Sequence, residues 1–303
     1  MKHTIHIINR VSGAIEEEQI WGESALRFVY GKNFLSKTLG ALVRLITSNP
    51  LVSKLWGAYH DREETRKNIE PFCKKYSIDT SEFEQPLAAF SSFNDFFVRK
   101  LKRSARPIDP DPKSAILPAD ARYLIFPDLG TTDFLIKGVR FKLEPFLQSP
   151  ELAKQFQGGV GILARLCPTD CHRFVFPVSG RASPSKWIAG SYLSVSPIAT
   201  HQFPAIFWTN VRELTLIESE KFGLVAMVEI GATNCASIIQ TYTPGQVEKG
   251  QETGYFRLGG SAIMLLFEKD KLELSEDLIT LSKKGFEIRG LIGQKLGSYK
   301  EIS

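Results

Sequence analysis

Cysteine is scarce in this chain. Only Cys73, Cys167, Cys171 and Cys235 occur in 303 residues, and no C-x-x-C pair is among them. That argues against a zinc ribbon or a disulfide scaffold and reads as free thiols in a reducing compartment. No window approaches the roughly 18 uncharged apolar residues of a membrane-spanning helix. Residues Met1–Arg10 lack the apolar core of a secretory signal. Net charge is small as well: 38 Lys and Arg against 33 Asp and Glu give +5, too little for a nucleic-acid partner unless it is concentrated. The Gly259-Gly260-Ser261 run lacks the following Lys-Ser/Thr of a phosphate loop, and Ala262-Ile263 after the serine excludes a G-x-S-x-G elbow. What is present is ordinary globular stock. Hydrophobic residues make 43% of the chain and charged residues 23%, which excludes disorder. The length fits one large or two small domains that bury a core without covalent staples.

The chain changes character near residue 115. Before it the pattern is helical. Leu35, Leu39, Leu42 and Ile46 recur with a 3.6-residue period, with Lys37 and Arg44 opposite them, and Pro50 ends or kinks that helix. Further helices are expected over Arg62–Tyr76 and Phe93–Leu101. Arg106–Pro112 carries three prolines in seven residues and reads as an extended linker. Beyond it, β-rich runs bounded by Gly and Pro predict strands over Tyr123–Phe126, Arg173–Val178, Leu224–Ile230, Ser237–Tyr242 and Ala262–Phe267. The expected class is α+β: a helical region over residues 1–110, then a β-rich domain over 111–303.

Histidine is the first place to look for acid–base chemistry, and there are five. His3 and His6 alternate in a strand-like run. His60 beside Asp61 reads as solvated, and His201 has no assignable role. His172 stands out, because Asp170, His172 and Arg173 cluster at the entry to a strand; a surface turn with a local Asp–Arg pair fits the same residues. Gly259-Gly260-Ser261 precedes a buried-looking strand, where the serine hydroxyl can turn back on the preceding carbonyl; a plain hairpin turn fits equally. Asp120 lies between Pro118 and a strand, as ordinary turn aspartates do.

Together these segments resemble the phosphatidylserine decarboxylase family. Phe96-Phe97-Val98-Arg99-Lys100-Leu101 with Arg106-Pro107-Ile108 is similar to its F-F-x-R-x-L…R-P-I signature, and Pro118-Ala119-Asp120 to its P-A-D-G turn. Asp170-Cys171-His172-Arg173 with Pro177 and Gly180 resembles D-Y-H-R-x-H-x-P…G. Val228–Ala232 resembles the V-G-A strand, and Lys249–Phe256 with Gly260-Ser261 resembles K-G-x-E-x-G-x-F…G-S. The Gly-Gly-Ser form looks most like the branch of chlamydia-type bacteria. The resemblance implies a carboxy-lyase made as a proenzyme. Ser261 attacks the Gly260 carbonyl, the chain parts into β (1–260) and α (261–303) chains that stay together, and Ser261 becomes a pyruvoyl group. That carbonyl condenses with the amine of phosphatidylserine and takes up the electrons of the breaking carboxylate bond, giving phosphatidylethanolamine and CO2. No metal is implied. The catalytic set carried over is Ser261, Asp120 as orienting carboxylate, and His172 as acid–base group at the substrate.

One departure bears on the mechanism. The family segment carries a second histidine, credited as the base of self-cleavage, and here that position is Val175. Ala121 for Gly, Cys171 for Tyr and Ala262 for Thr are smaller departures. Two outcomes follow: maturation with His172 or a rearranged His201 as base, or an uncleaved, lipid-binding relic. The charge also becomes informative. Residues 25–60 hold Arg27, Lys32, Lys37, Arg44 and Lys54 and no acid, and Arg99, Lys100, Lys102, Arg103 and Arg106 follow. A peripheral contact with an anionic membrane surface, at the cytoplasmic face of the cell membrane, is the expected use; an alternative is that residues 25–60 pack on the catalytic domain.

Overall fold

The computed structural model describes residues 5–31, 34–130, 133–136, 139–233 and 238–301. His3 and Cys235 lie outside them. The class is α+β, as expected. The helical part opens with α1 (Glu23–Tyr30), α2 (Phe34–Thr47) and α3 (Pro50–His60). Pro50 does more than stop α2: it is the first residue of α3, where a missing N–H costs nothing, and the Asn49 side chain caps the Leu51 amide. The helix expected over Arg62–Tyr76 is instead a 3-10 turn, Glu63–Asn68, followed by an α-helix, Ile69–Lys75. The Thr65 hydroxyl bonds to the carbonyls of His60 and Arg62 and accepts from the Phe93 amide, which fixes the tighter turn. The last expected helix spans only Phe93–Phe97, capped by Ser92.

α2 is packed inside out. Its buried residues are Ser36 and Gly40, and those of α3 are Ser53 and His60. A Cβ at Gly40 would lie 2.8 Å from the Phe28 carbonyl oxygen, so only glycine permits the close approach of α1. The apolar stripe Leu35, Leu39, Leu42 and Ile46 faces outward, each residue about half exposed or more, with Leu45, Leu51, Leu55 and Trp56 beside it.

An eleven-stranded sheet forms the body, with Ser261–Phe267 near its middle, between Gly223–Gly231 and Val160–Leu166. Ala121–Phe126 follows on the Val160 side. The N-terminal strands His6–Asn9 and Ile15–Glu17 join this same sheet through Glu287–Gly290, so the start of the chain pairs with a segment near its other end. Alternation along the strands splits the core into two layers. Ile263, Leu265 and Phe267 face one that includes Phe174, Phe176 and Phe256; Ala262, Met264 and Leu266 face the other, which includes Tyr30, Phe146 and Phe207. The first layer is closed by a three-stranded sheet, Ile238–Gln240, Glu252–Phe256 and Arg173–Val175. The segment Arg106–Pro112 is irregular, as its prolines require, yet anchored: Ile108 packs with Ile116, Val175 and Ile292.

Candidate active site

Ser261 is the first residue of its strand, opposite Leu166 on one side and Gly231 on the other. It is fully buried, and its Oγ has no hydrogen-bond partner among the described residues. An orphaned buried hydroxyl costs roughly 1–3 kcal/mol, so its retention calls for a use. Gly259 reaches the strand with φ 151°, a conformation that L side chains avoid. The approach is held from outside. Leu258 is buried among Phe72, Phe90, Phe93 and Phe96, and its amide donates to Asn94 Oδ1 at 3.0 Å. Arg257 pairs with Asp61. The Ser92–Phe97 motif therefore braces the Gly260–Ser261 peptide.

Beyond that peptide lies a cavity of about 450 Å³. Its floor includes Leu166, Cys167, Gly259 and Gly260; its roof is Trp21, Leu26, Tyr30 and Trp56 from the helical arm. The lining is mostly apolar. The charged exceptions, Glu18 and Arg165, belong to a buried ion network that sequence reasoning missed. Glu18 meets Arg122 at 3.1 Å and Arg165 at 2.7 Å, Arg165 also meets Glu287 at 2.5 Å, and Arg122 pairs with Asp170. The only signal in the sequence was arginine inside two otherwise apolar strands.

Asp120 is buried, but among the described residues no histidine orients against it. Its carboxylate accepts from Arg106 Nε at 2.9 Å and Nη2 at 2.8 Å and from the Ile292 amide at 2.9 Å, while Arg106 also holds Glu82. Burial pushes the Asp120 carboxyl up, and the Arg106 guanidinium opposes it. Val175, at the place of the family's second histidine, lies in the apolar cluster with Ile292. Asp120 is thus satisfied by Arg106 from the linker.

His172 is fully buried and stacks on Phe97, centroids 3.9 Å apart. Its Nδ1 lies 3.1 Å from the Asp170 carbonyl oxygen. A carbonyl only accepts, so the hydrogen is assigned to Nδ1 and Nε2 is left with a bare lone pair. That Nε2 has no partner among the described residues. Burial lowers the His172 pKa to about 3, so the ring stays neutral. The expected Asp170–Arg173 pair does not form. Asp170 accepts from Arg122 and the Cys167 amide, Arg173 pairs with Glu252, and Arg99 donates to the carbonyls of Thr169 and Asp170, clamping the turn. His60 is buried rather than solvated: its Nδ1 meets the Trp56 carbonyl at 3.0 Å and its ring packs among Trp56, Tyr59 and Phe93. His201 is exposed on the helix Pro197–Gln202.

The family model for phosphatidylserine decarboxylase matches residues 93–298. The chain belongs to the phosphatidylserine decarboxylase family. It is 39% identical to a phosphatidylserine decarboxylase proenzyme of Ruminiclostridium cellulolyticum, over 97% of each chain. It is 40% identical to one of Fusobacterium nucleatum over 98% of each, and 41% identical to one of Chlamydia trachomatis over 96% of each. The matched region takes in Asp120, His172 and Ser261. The brace on Leu258 and the clamp on Asp170 give the F-F-x-R signature a physical purpose: it locks the segments that lead into Ser261 and His172.

Proposed function

We propose that this chain decarboxylates phosphatidylserine through a pyruvoyl group made from its own Ser261. Membership of the family supports the reaction. The observation that carries the site is the buried, unpartnered Ser261 Oγ beside a glycine-flanked peptide at the floor of an apolar cavity. These residues fit the group: it needs no external ligand, only a serine next to a peptide that attack can open. Once formed, it supplies a carbonyl that withdraws electrons from the bond to the departing carboxylate. The rest is done by the chain. The apolar roof takes acyl chains and excludes water. The lone pair at His172 Nε2 is a proton-accepting group in a closed site, though a weak one. Asp120 holds the linker through Arg106 and the loop at Ile292 through that residue's amide, a positioning role. The β and α chains stay joined, because Ser261–Phe267 is bonded on both edges to strands of the β chain.

The reading extends to the membrane surface. The outward Leu35–Ile46 stripe with exposed Lys37 and Lys54 has the composition of an interfacial helix, with apolar residues for acyl chains and ammonium groups for anionic headgroups. We place the chain peripherally, at the cytoplasmic face. Among the described residues, no helix is long and apolar enough to cross a membrane. The basic cluster contributes less than its composition suggests. Arg27 pairs with Glu23, and Arg44 is turned onto Tyr30 and Phe203. Arg99 and Arg106 are internal braces.

A second reading has a specific observation in its favour. Val175 and its apolar neighbours leave no histidine beside Asp120 among the described residues, which fits an uncleaved relic. Mass spectrometry of purified protein separates the two: a fragment beginning with pyruvoyl at position 261, with CO2 released from phosphatidylserine vesicles, supports the enzyme, and an intact 34.0 kDa chain without CO2 release supports the relic.

A further inference from the structure

Loss of the histidine at position 175 raises the question of what takes the Ser261 proton. Glu229 lies on the adjacent strand, where it pairs with Ile263, while Gly231 pairs with Ser261. Residues directly opposite in an antiparallel pair point to the same face, so Glu229 and Ser261 are diagonal neighbours on one face, roughly 7–8 Å apart at the backbone and within reach of a long side chain. Gly231 between them adds no side chain to block the path. Glu229 is fully buried; its Oε2 accepts from Gln240 Nε2 at 3.2 Å, and its Oε1 has no partner among the described residues. Two orphaned polar atoms therefore share one face of one strand pair. Chance burial of both, at a cost to each, is a poor account of a sheet otherwise lined here by Met227, Val225, Leu265 and Phe267.

We propose that Glu229 is the proton acceptor for self-cleavage in this chain. The Oγ–H proton passes to the Glu229 carboxylate as Oγ bonds to the Gly260 carbonyl carbon. The Gly260 C–Ser261 N bond then breaks, the nitrogen takes that proton, and an ester with a free amine results. The balance needs no other reactant. Burial raises the Glu229 carboxyl well above the usual carboxylate range, which makes its ionised form the stronger base. The titratable groups facing it are Glu213 on the next strand, which shares Gln240 with it, and Tyr242 beyond. His172 is a poorer candidate: its place is set by Phe97 and the Asp170 turn, outside this strand register.

The inference rests on the decarboxylase reading, and its test keeps the two apart. Purified proenzyme, Glu229→Gln and Glu229→Asp are followed on denaturing gels across pH. The parent should resolve into two chains, faster as pH rises. Glu229→Gln, isosteric and neutral, should slow this at least about 100-fold with unchanged melting temperature, and Glu229→Asp should be slowed while keeping the rise with pH. Cleavage of Glu229→Gln at the parental rate, or a pH-independent parent, overturns the proposal even if Glu229→Gln folds poorly. A parent that stays whole while Val175→His cleaves also overturns it, by returning the base to position 175. Failure of the decarboxylase reading shows separately, as fully cleaved protein that releases no CO2.

Discussion

The helical arm and the strand layer around Ser261 break the same rule in opposite directions. In the arm, Ser36, Gly40 and Ser53 are inside and the leucines outside; in the layer, Ser261, His172 and Glu229 are buried without full partners while phenylalanines surround them. A helix that exposes its apolar face gains nothing from water, and a core that buries unpaired polar atoms pays for each. On the proposed function, the arm departs from globular design to meet an apolar phase outside the molecule. On the same reading, the layer departs from it to keep reactive atoms dry. Between the two lies the cavity, roofed by one and floored by the other.

The comparison can be broken from either side. The largest effect is expected at Ser261: Ser261→Ala removes the nucleophile, so denaturing gels should show only the 34.0 kDa chain and decarboxylation should be lost, yet thermal unfolding should change little or improve, because an orphaned hydroxyl has gone. Arg106→Ala comes next. It leaves Asp120 charged and buried, at a cost of about 3–5 kcal/mol measured by denaturant unfolding; a loss below 1 kcal/mol would mean that the carboxyl simply takes up a proton.

Smaller effects are expected in the arm. Leu39→Glu or Leu42→Glu should weaken binding to phosphatidylserine vesicles about tenfold in sedimentation assays and change stability within about 0.5 kcal/mol, since both side chains are already about half exposed to water. Removing residues 25–60 should abolish vesicle binding; binding unchanged after truncation would refute the membrane role. Near neutral pH the smallest effect concerns His172, whose contribution appears only in acid. Its folded pKa, about 3, lies below the ordinary 6.5, so the unfolded chain binds the extra proton and stability falls as pH drops from 6.5 toward 3, by up to about 1.4 kcal/mol per unit. His172→Gln should flatten the stability–pH curve there.

Much of this was legible residue by residue. The 3.6-residue stripe on α2, the strands at Tyr123, Leu224 and Ala262, and the Gly-Gly-Ser step follow from period and from backbone freedom, which are local. Pairings were not. Asp170 chose Arg122 from a distant strand over its neighbour Arg173, and Asp120 chose Arg106 from the linker. Glu229 is one acid in an apolar stretch of sequence, and only the strand register sets it diagonal to Ser261. His60, beside an aspartate in sequence, was sealed in by three aromatic rings.

The sequence by itself determined the family, the α+β class and the Gly-Gly-Ser step at residues 259–261, because those reside in motifs that neighbouring residues define. Tertiary structure alone decided which way the amphipathic stripe faces and which charges spend themselves as braces. It also decided which polar atoms are left bare at the serine. Those outcomes depend on which surfaces meet across the fold, and periodicity gives a helix its stripe without saying whether protein or solvent will cover it.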